Sequence, residues 1–122
     1  GNSTRDELNK IEKGGNYGWP AITGGQTRSG MITGIINSGN DTWAPSGLAF
    51  YKDSLYFAGL RGSALFKFDI GNKSLDKLFD EKNGRIRETI TGLDGALYIL
   101  TNNTDGRGIP YPNDDKLIRL IL

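Results

Sequence analysis

An all-β chain, built as about two blades of a β-propeller, is what this sequence predicts, and three observations carry the prediction. Gly supplies 18 of the 122 residues, about twice the ordinary ~7%. Together with Pro and Asn it falls between short apolar runs, so turns are frequent and helices disfavoured. Ser54-Leu55-Tyr56-Phe57-Ala58 is answered by Ala96-Leu97-Tyr98-Ile99-Leu100 at an offset of 42 residues, each after a turn (Lys52-Asp53, Asp94-Gly95). Each copy then runs into another strand, where Phe66-Lys67-Phe68 answers Ile118-Arg119-Leu120. A period of roughly 40 to 50 residues with about four short strands per unit marks propeller blades. A sandwich or a meander, with strands every ~8 to 12 residues, is the competing architecture.

In chain order, residues 1–45 read as a segment connecting blades, with Asp6-Glu7-Leu8-Asn9 and Gly14-Gly15-Asn16-Tyr17-Gly18-Trp19-Pro20 as its motifs. The glycines of the second motif suit positive φ, with Tyr17 and Trp19 expected to pack beneath the turn. Residues 46–80 form a blade with strands over 46–51, 54–60, 64–70 and 74–79. Residues 81–122 form a final, incomplete blade with strands over 85–91, 96–102 and 116–122 and no fourth strand. Two blades cannot close a ring, so their open flanks require the remaining propeller blades or other copies of the chain as partners.

Composition narrows the chemistry. Lys plus Arg number 15 against 14 Asp plus Glu, so no global field draws in nucleic acid or an anionic membrane, and anion recognition must be local. With no Cys, disulfides, thiolate chemistry and Cys-type zinc sites are excluded. With no His, the chain lacks the most frequent general base and metal ligand. No apolar run approaches the ~20 residues of a membrane span. Asn-x-Ser/Thr triplets at Asn2, Asn40, Asn72 and Asn102 suit an extracytoplasmic location, periplasmic or secreted, although an Asn-rich chain also generates them by chance.

The candidate binding residues are arginines. In Asn83-Gly84-Arg85-Ile86-Arg87-Glu88, a strand over 85–89 would send Arg85 and Arg87 to one face and Ile86 to the other. Two guanidiniums on one face can grip carboxylates or phosphates with paired hydrogen bonds, or simply form a solvated edge. Arg61, in Gly59-Leu60-Arg61-Gly62, lies at a strand connection of the first blade, and such connections line one rim of a propeller. Trp43 is either a core residue or a stacking surface for a planar ring. Asp6 and Glu7 are either hard-oxygen ligands or the start of a helical turn over 6–12.

Three motifs, in order along the chain, resemble the pyrroloquinoline quinone (PQQ)-dependent soluble glucose and aldose sugar dehydrogenases. They are GNSTRDELN running into KGGNYGWP, APSGLAFY followed by GLRG, and RIRE followed by LDG and LYILT. Residues 21–41 and 104–115 match no part of that pattern. The resemblance implies the C-terminal third of a six-bladed propeller that oxidises the C1 hydroxyl of an aldose sugar to a lactone, with PQQ and Ca²⁺ as cofactors. Arg61 stands where the family has a Lys, and with Arg85, Arg87 and Thr42 it falls on cofactor-contacting positions. The main-chain carbonyls of Gly1 and Asn2 match those that ligate the calcium holding PQQ, Asn2 replacing a Pro. Asp6, Glu7 and the carbonyl of Tyr17 match a further calcium site. The family's general-base His lies upstream of every segment present here, so the chain alone is expected to be inactive. The alternative is a non-catalytic propeller used as a protein- or glycan-binding or assembly module.

Overall fold

The computed structural model describes residues 3–122, which leaves Gly1 and Asn2, two of the expected metal-binding positions, outside the described residues. Every sheet is antiparallel, and no helix occurs among the described residues. The chain divides into two compact units, Gly1–Trp43 and Ala44–Leu122.

The first unit is mostly turns around one short ladder. Strand β1 (Glu7–Leu8) pairs with β2 (Ile36–Asn37), Glu7 opposite Asn37. The Asp6 amide donates to Ser38 Oγ at 2.9 Å and its carbonyl accepts from the Ser38 amide at 2.8 Å, extending the pairing beyond the strands. Segment 6–12 is therefore extended at its start where a helical turn was one expectation: the backbone of Asp6 to Leu8 finds its partners across the ladder. In the GGNYGWP motif, Gly18 has φ +83° and a Cβ there would lie 2.2 Å from Ile22, so glycine is required on both counts. Ile22 is the buried residue of this turn. Trp19, expected beneath it, is instead 72% exposed.

The second unit holds two meanders. The first runs β3 (Pro45–Tyr51), β4 (Ser54–Gly59), β5 (Ala64–Asp69) and β6 (Ser74–Leu78), each paired with the next. Lys52 and Asp53 both have positive φ, the geometry of a two-residue hairpin turn whose twist matches that of the strands it joins. The second sheet runs β7 (Ile86–Thr91), β8 (Leu97–Thr101) and β9 (Leu117–Arg119). The two copies of the 42-residue repeat fall on β4 and β8, the second strand of each sheet.

Between the sheets lies one core. Ala49, Tyr56, Ala58 and Leu65 from the first sheet meet Ile86, Leu97, Ile99 and Leu120 from the second sheet and its C-terminal edge. On the other face of the first sheet, cross-strand partners Phe57 and Phe66 stack with ring centroids 4.9 Å apart. Strands β4 and β5 are consequently covered on both faces, which is why their sequences read as near-continuous apolar runs. The far face of the second sheet is different: Ile90, Leu100 and Leu117 are exposed, and Leu100 pairs with Leu117. These are two blades of a β-propeller, the last with three strands among the described residues.

The inner strands carry irregularities that matter for the site. Pairing shifts register between Pro45 and Leu48 in β3 and between Ile86 and Glu88 in β7. A Cβ on Gly47 would lie 1.8 Å from Glu88 Oε1 and 2.8 Å from the Glu88 backbone, so only glycine permits this approach of β3 and β7.

Candidate functional site

Three connections of the second unit meet at a cleft of about 260 Å³. Arg61 and Ser63 come from the β4–β5 connection, Glu81, Gly84 and Arg85 from the β6–β7 connection, and Asn103, Arg107 and Tyr111 from the β8–β9 connection. Three guanidiniums against one carboxylate give its wall a cationic bias.

Arg85 is held in place by its neighbours. Its amide donates to Asn103 Oδ1 at 2.8 Å, its Nε to the Asn102 carbonyl at 3.2 Å, and a terminal guanidinium nitrogen to Asp105 Oδ2 at 3.1 Å. The Asp105 carboxylate also accepts from the Arg107 amide and the Asn102 side chain. The Arg107 amide is the leading cause that holds Asp105 below the usual carboxylate range, with the Arg85 charge adding to it. Arg85 thus presents a fixed guanidinium whose charge is already balanced.

Asn103 is the keystone of the β8–β9 connection. It is 1% exposed, and its side chain holds Arg85, donates to the Asn83 carbonyl at 3.0 Å and donates to Asp114 at 2.9 Å. Asp114 also accepts the Tyr111 amide at 2.7 Å, and the Tyr111 hydroxyl donates to the Glu81 carbonyl at 2.9 Å. Asp115 accepts from the Thr104 hydroxyl, the Asn103 amide and the Thr101 hydroxyl, and the first of these chiefly lowers its pKa. This long connection is built as a rigid wall. Gly84 must be glycine beside it, since φ is +64° and a Cβ would sit 2.4 Å from Asn103 Oδ1.

The expected arginine positions are only partly brought together. Arg61 and Arg85 line the one cleft, whereas Arg87 is exposed and does not line it. Strict alternation over 85–89 is broken: the strand starts at Ile86, the register shifts at Arg87, and Ile86 and Thr89 both turn inward while Arg87 and Glu88 are exposed. Thr42 belongs to the first unit and is half-buried just before β3, next to Trp43, which is buried as a core residue.

Asp6 and Glu7 each hold a backbone amide, Asp6 that of Trp43 at 2.7 Å and Glu7 that of Gly24 at 2.6 Å. The Tyr17 hydroxyl bridges the Lys10 carbonyl and the Glu12 amide. Among the described residues no three acidic side chains converge as a metal site.

Arg107, Asn103, Asp105 and Tyr111 are not among the expected site residues, because all lie in or beside 104–115, which the three motifs do not reach. A signal was present nonetheless. Arg107 stands between Gly106 and Gly108 on the β8–β9 connection, which answers the β4–β5 connection carrying Arg61, although the offset of 42 itself sets Asn103 opposite Arg61.

The Glucose / Sorbosone dehydrogenase family model matches residues 1–119, so that 21–41 and 104–115, which the motifs leave unmatched, are covered as well, and the chain belongs to that family. It is 32% identical to the aldose sugar dehydrogenase YliI of Escherichia coli over 83% of this chain and 33% of that protein. Among solved structures it resembles the PQQ-bound form of aldose sugar dehydrogenase from Streptomyces coelicolor, with TM-score 0.89 and 35% identity over 98% of this chain and 37% of that one. It also resembles a putative oxidoreductase (glucose dehydrogenase) from Thermus thermophilus, with TM-score 0.86 and 37% identity over 97% and 37% of the two chains. The chain therefore spans about a third of the length of these relatives. No helix among the described residues is long and apolar enough to cross a membrane.

Proposed function

We propose that this chain forms the closing blades of a PQQ-dependent aldose dehydrogenase and contributes part of its cofactor-binding rim. The observation that carries the reading is the convergence of Arg61 and Arg85, from connections at successive blades, on one cleft. PQQ is a planar quinone with several carboxylates, and a wall of guanidiniums supplies the paired donors such groups accept. At about 260 Å³ the cleft is smaller than the ~300 to 1,000 Å³ of sites that enclose a whole small ligand, so this chain grips one end of it. When bound, the quinone would accept hydride from C1 of the sugar, which leaves as the lactone.

The chain's own residues bind and orient. Arg85, fixed by Asn103 and Asp105, sets a rigid edge; Arg61 brings an exposed cation to the same cleft; Arg87 and Thr42 are proposed as further cofactor contacts. With no His in the sequence, the base that takes the hydroxyl proton is assigned to another blade. Calcium would rest on the main-chain carbonyls of Gly1 and Asn2, with Asp6, Glu7 and the Tyr17 carbonyl as a separate set. Hard oxygens suit the ion, and each carboxylate keeps lone pairs beyond the one spent on a backbone amide. An extracytoplasmic location is part of the same reading.

The test is sugar-dependent dye reduction by the complete ring, with and without PQQ. Turnover strictly dependent on PQQ is expected, and equal turnover without any quinone would defeat the proposal.

A further inference from the structure

Of the cationic groups on the cleft wall, Arg85 is balanced by Asp105 at 3.1 Å. Ion pairs among the described residues otherwise engage Lys77, Lys116 and Arg119, so Arg61 and Arg107 are in none. The Asp105 carboxylate, which accepts from Arg85, the Asn102 side chain and the Arg107 amide, also feels the Arg107 charge but forms no ion pair with its guanidinium. Glu81 is the one acidic residue on the wall; it is exposed and likewise outside every ion pair there. The two guanidiniums outside those ion pairs come from corresponding connections, β4–β5 and β8–β9, although the offset of 42 sets Asn103 and not Arg107 opposite Arg61.

We propose that Arg107, on the second blade's β8–β9 connection and lining the same cleft as Arg61, is a cofactor-holding cation, so that an acidic ligand is gripped from both connections. The inference rests on the reading of the cleft as a PQQ site. A pair of guanidiniums outside ion pairs suits a ligand with separated carboxylates better than one with a single acidic group, because each can take its own oxyanion. Asp105 has a dual part here: it cancels the charge of Arg85 and, through the Arg107 amide, fixes the backbone from which Arg107 reaches out.

The test is equilibrium binding of PQQ to the complete ring, followed by quinone absorbance, for wild type, Arg61→Gln, Arg107→Gln and Arg107→Lys. Arg107→Gln should fold normally, because its side chain is exposed and the amide hydrogen bond to Asp105 is retained. It should weaken PQQ by about tenfold or more and flatten the salt dependence, while Arg107→Lys restores part of the affinity. The trimethyl ester of PQQ, stripped of its charges, should bind wild type and Arg107→Gln equally. If Arg61→Gln weakens PQQ while Arg107→Gln binds it as wild type does, the inference falls and the reading of the cleft stands. If neither substitution matters, both fall together. Loss at Arg107→Gln that extends equally to the ester marks a structural role and also overturns the inference.

Discussion

Replacing Asn103 with Ala should uncouple the β8–β9 connection from the start of β7. The side chain makes hydrogen bonds to the Arg85 amide, the Asn83 carbonyl and the Asp114 carboxylate, all at 2.8 to 3.0 Å and in a residue 1% exposed. At ~1 kcal/mol net for each bond, and more where a buried partner is left without a replacement, the loss is about 3 kcal/mol. Asp114 softens it, because that carboxylate keeps the Tyr111 amide and lies 3.6 Å from the Lys116 ammonium. In urea this appears as a lower midpoint at unchanged slope, with Lys82→Ala, an exposed turn residue, as the control expected within ~0.5 kcal/mol of wild type. A destabilisation by Asn103→Ala no larger than that control would refute the account of Asn103 as the keystone of the cleft wall.

Other outcomes follow from the same structure. Leu65→Ala, in the core between the sheets with no exposure, should cost about 2 to 5 kcal/mol in the same melt, and a loss under 1 kcal/mol would argue against that core. Gly47→Ala should destabilise by about 1 to 3 kcal/mol, with only partial relief from Glu88→Ala because the clash with the backbone at residue 88 remains; full relief would contradict the close approach of β3 and β7. Asp94 is drawn down to about 2 from 3.8, first by the Arg119 guanidinium and then by the Ala96 amide and Tyr98 hydroxyl. Its folded pKa is depressed, so its contribution to stability is present above pH 3.8 and is lost as pH falls towards about 2. Asp94→Asn should remove that acid-side slope, and an unchanged slope would exclude the Arg119 pairing in solution. Finally, this chain alone, supplied with PQQ, Ca²⁺ and sugar, should reduce no dye, and turnover by it would locate the base within these residues.

Much of the fold was legible because it repeats. The Leu-Tyr-apolar core of each copy fixes the second strand of a sheet, and the strands of the first blade lie within a residue of where alternation and turn residues put them. Legibility failed where local chemistry overrode period two. At Arg87 the register shift turns two successive side chains outward, which alternation alone cannot foresee. Segment 6–12 carries acidic residues at a place that also suits a helix start, yet the Ser38 side chain and backbone draw Asp6 into a ladder. For Trp19, aromatic bulk suggested burial, but Ile22 already fills the space beside Gly18. Nearly half the cleft wall comes from 103–111, where shape depends on Asp114, Asp115 and Asn103 meeting through space. Such a polar network leaves no periodic trace. Only the glycine-flanked Arg107, at the same connection as Arg61, was readable, and that required following the repeat through its loops as well as its strands.

The most direct measurement is a crystal structure of the complete ring with PQQ bound. The account predicts a carboxylate of the quinone within hydrogen-bond reach of the Arg61 guanidinium, in the cleft that Arg85 and Asn103 hold rigid. A quinone bound elsewhere, with that cleft filled only by solvent, would contradict it.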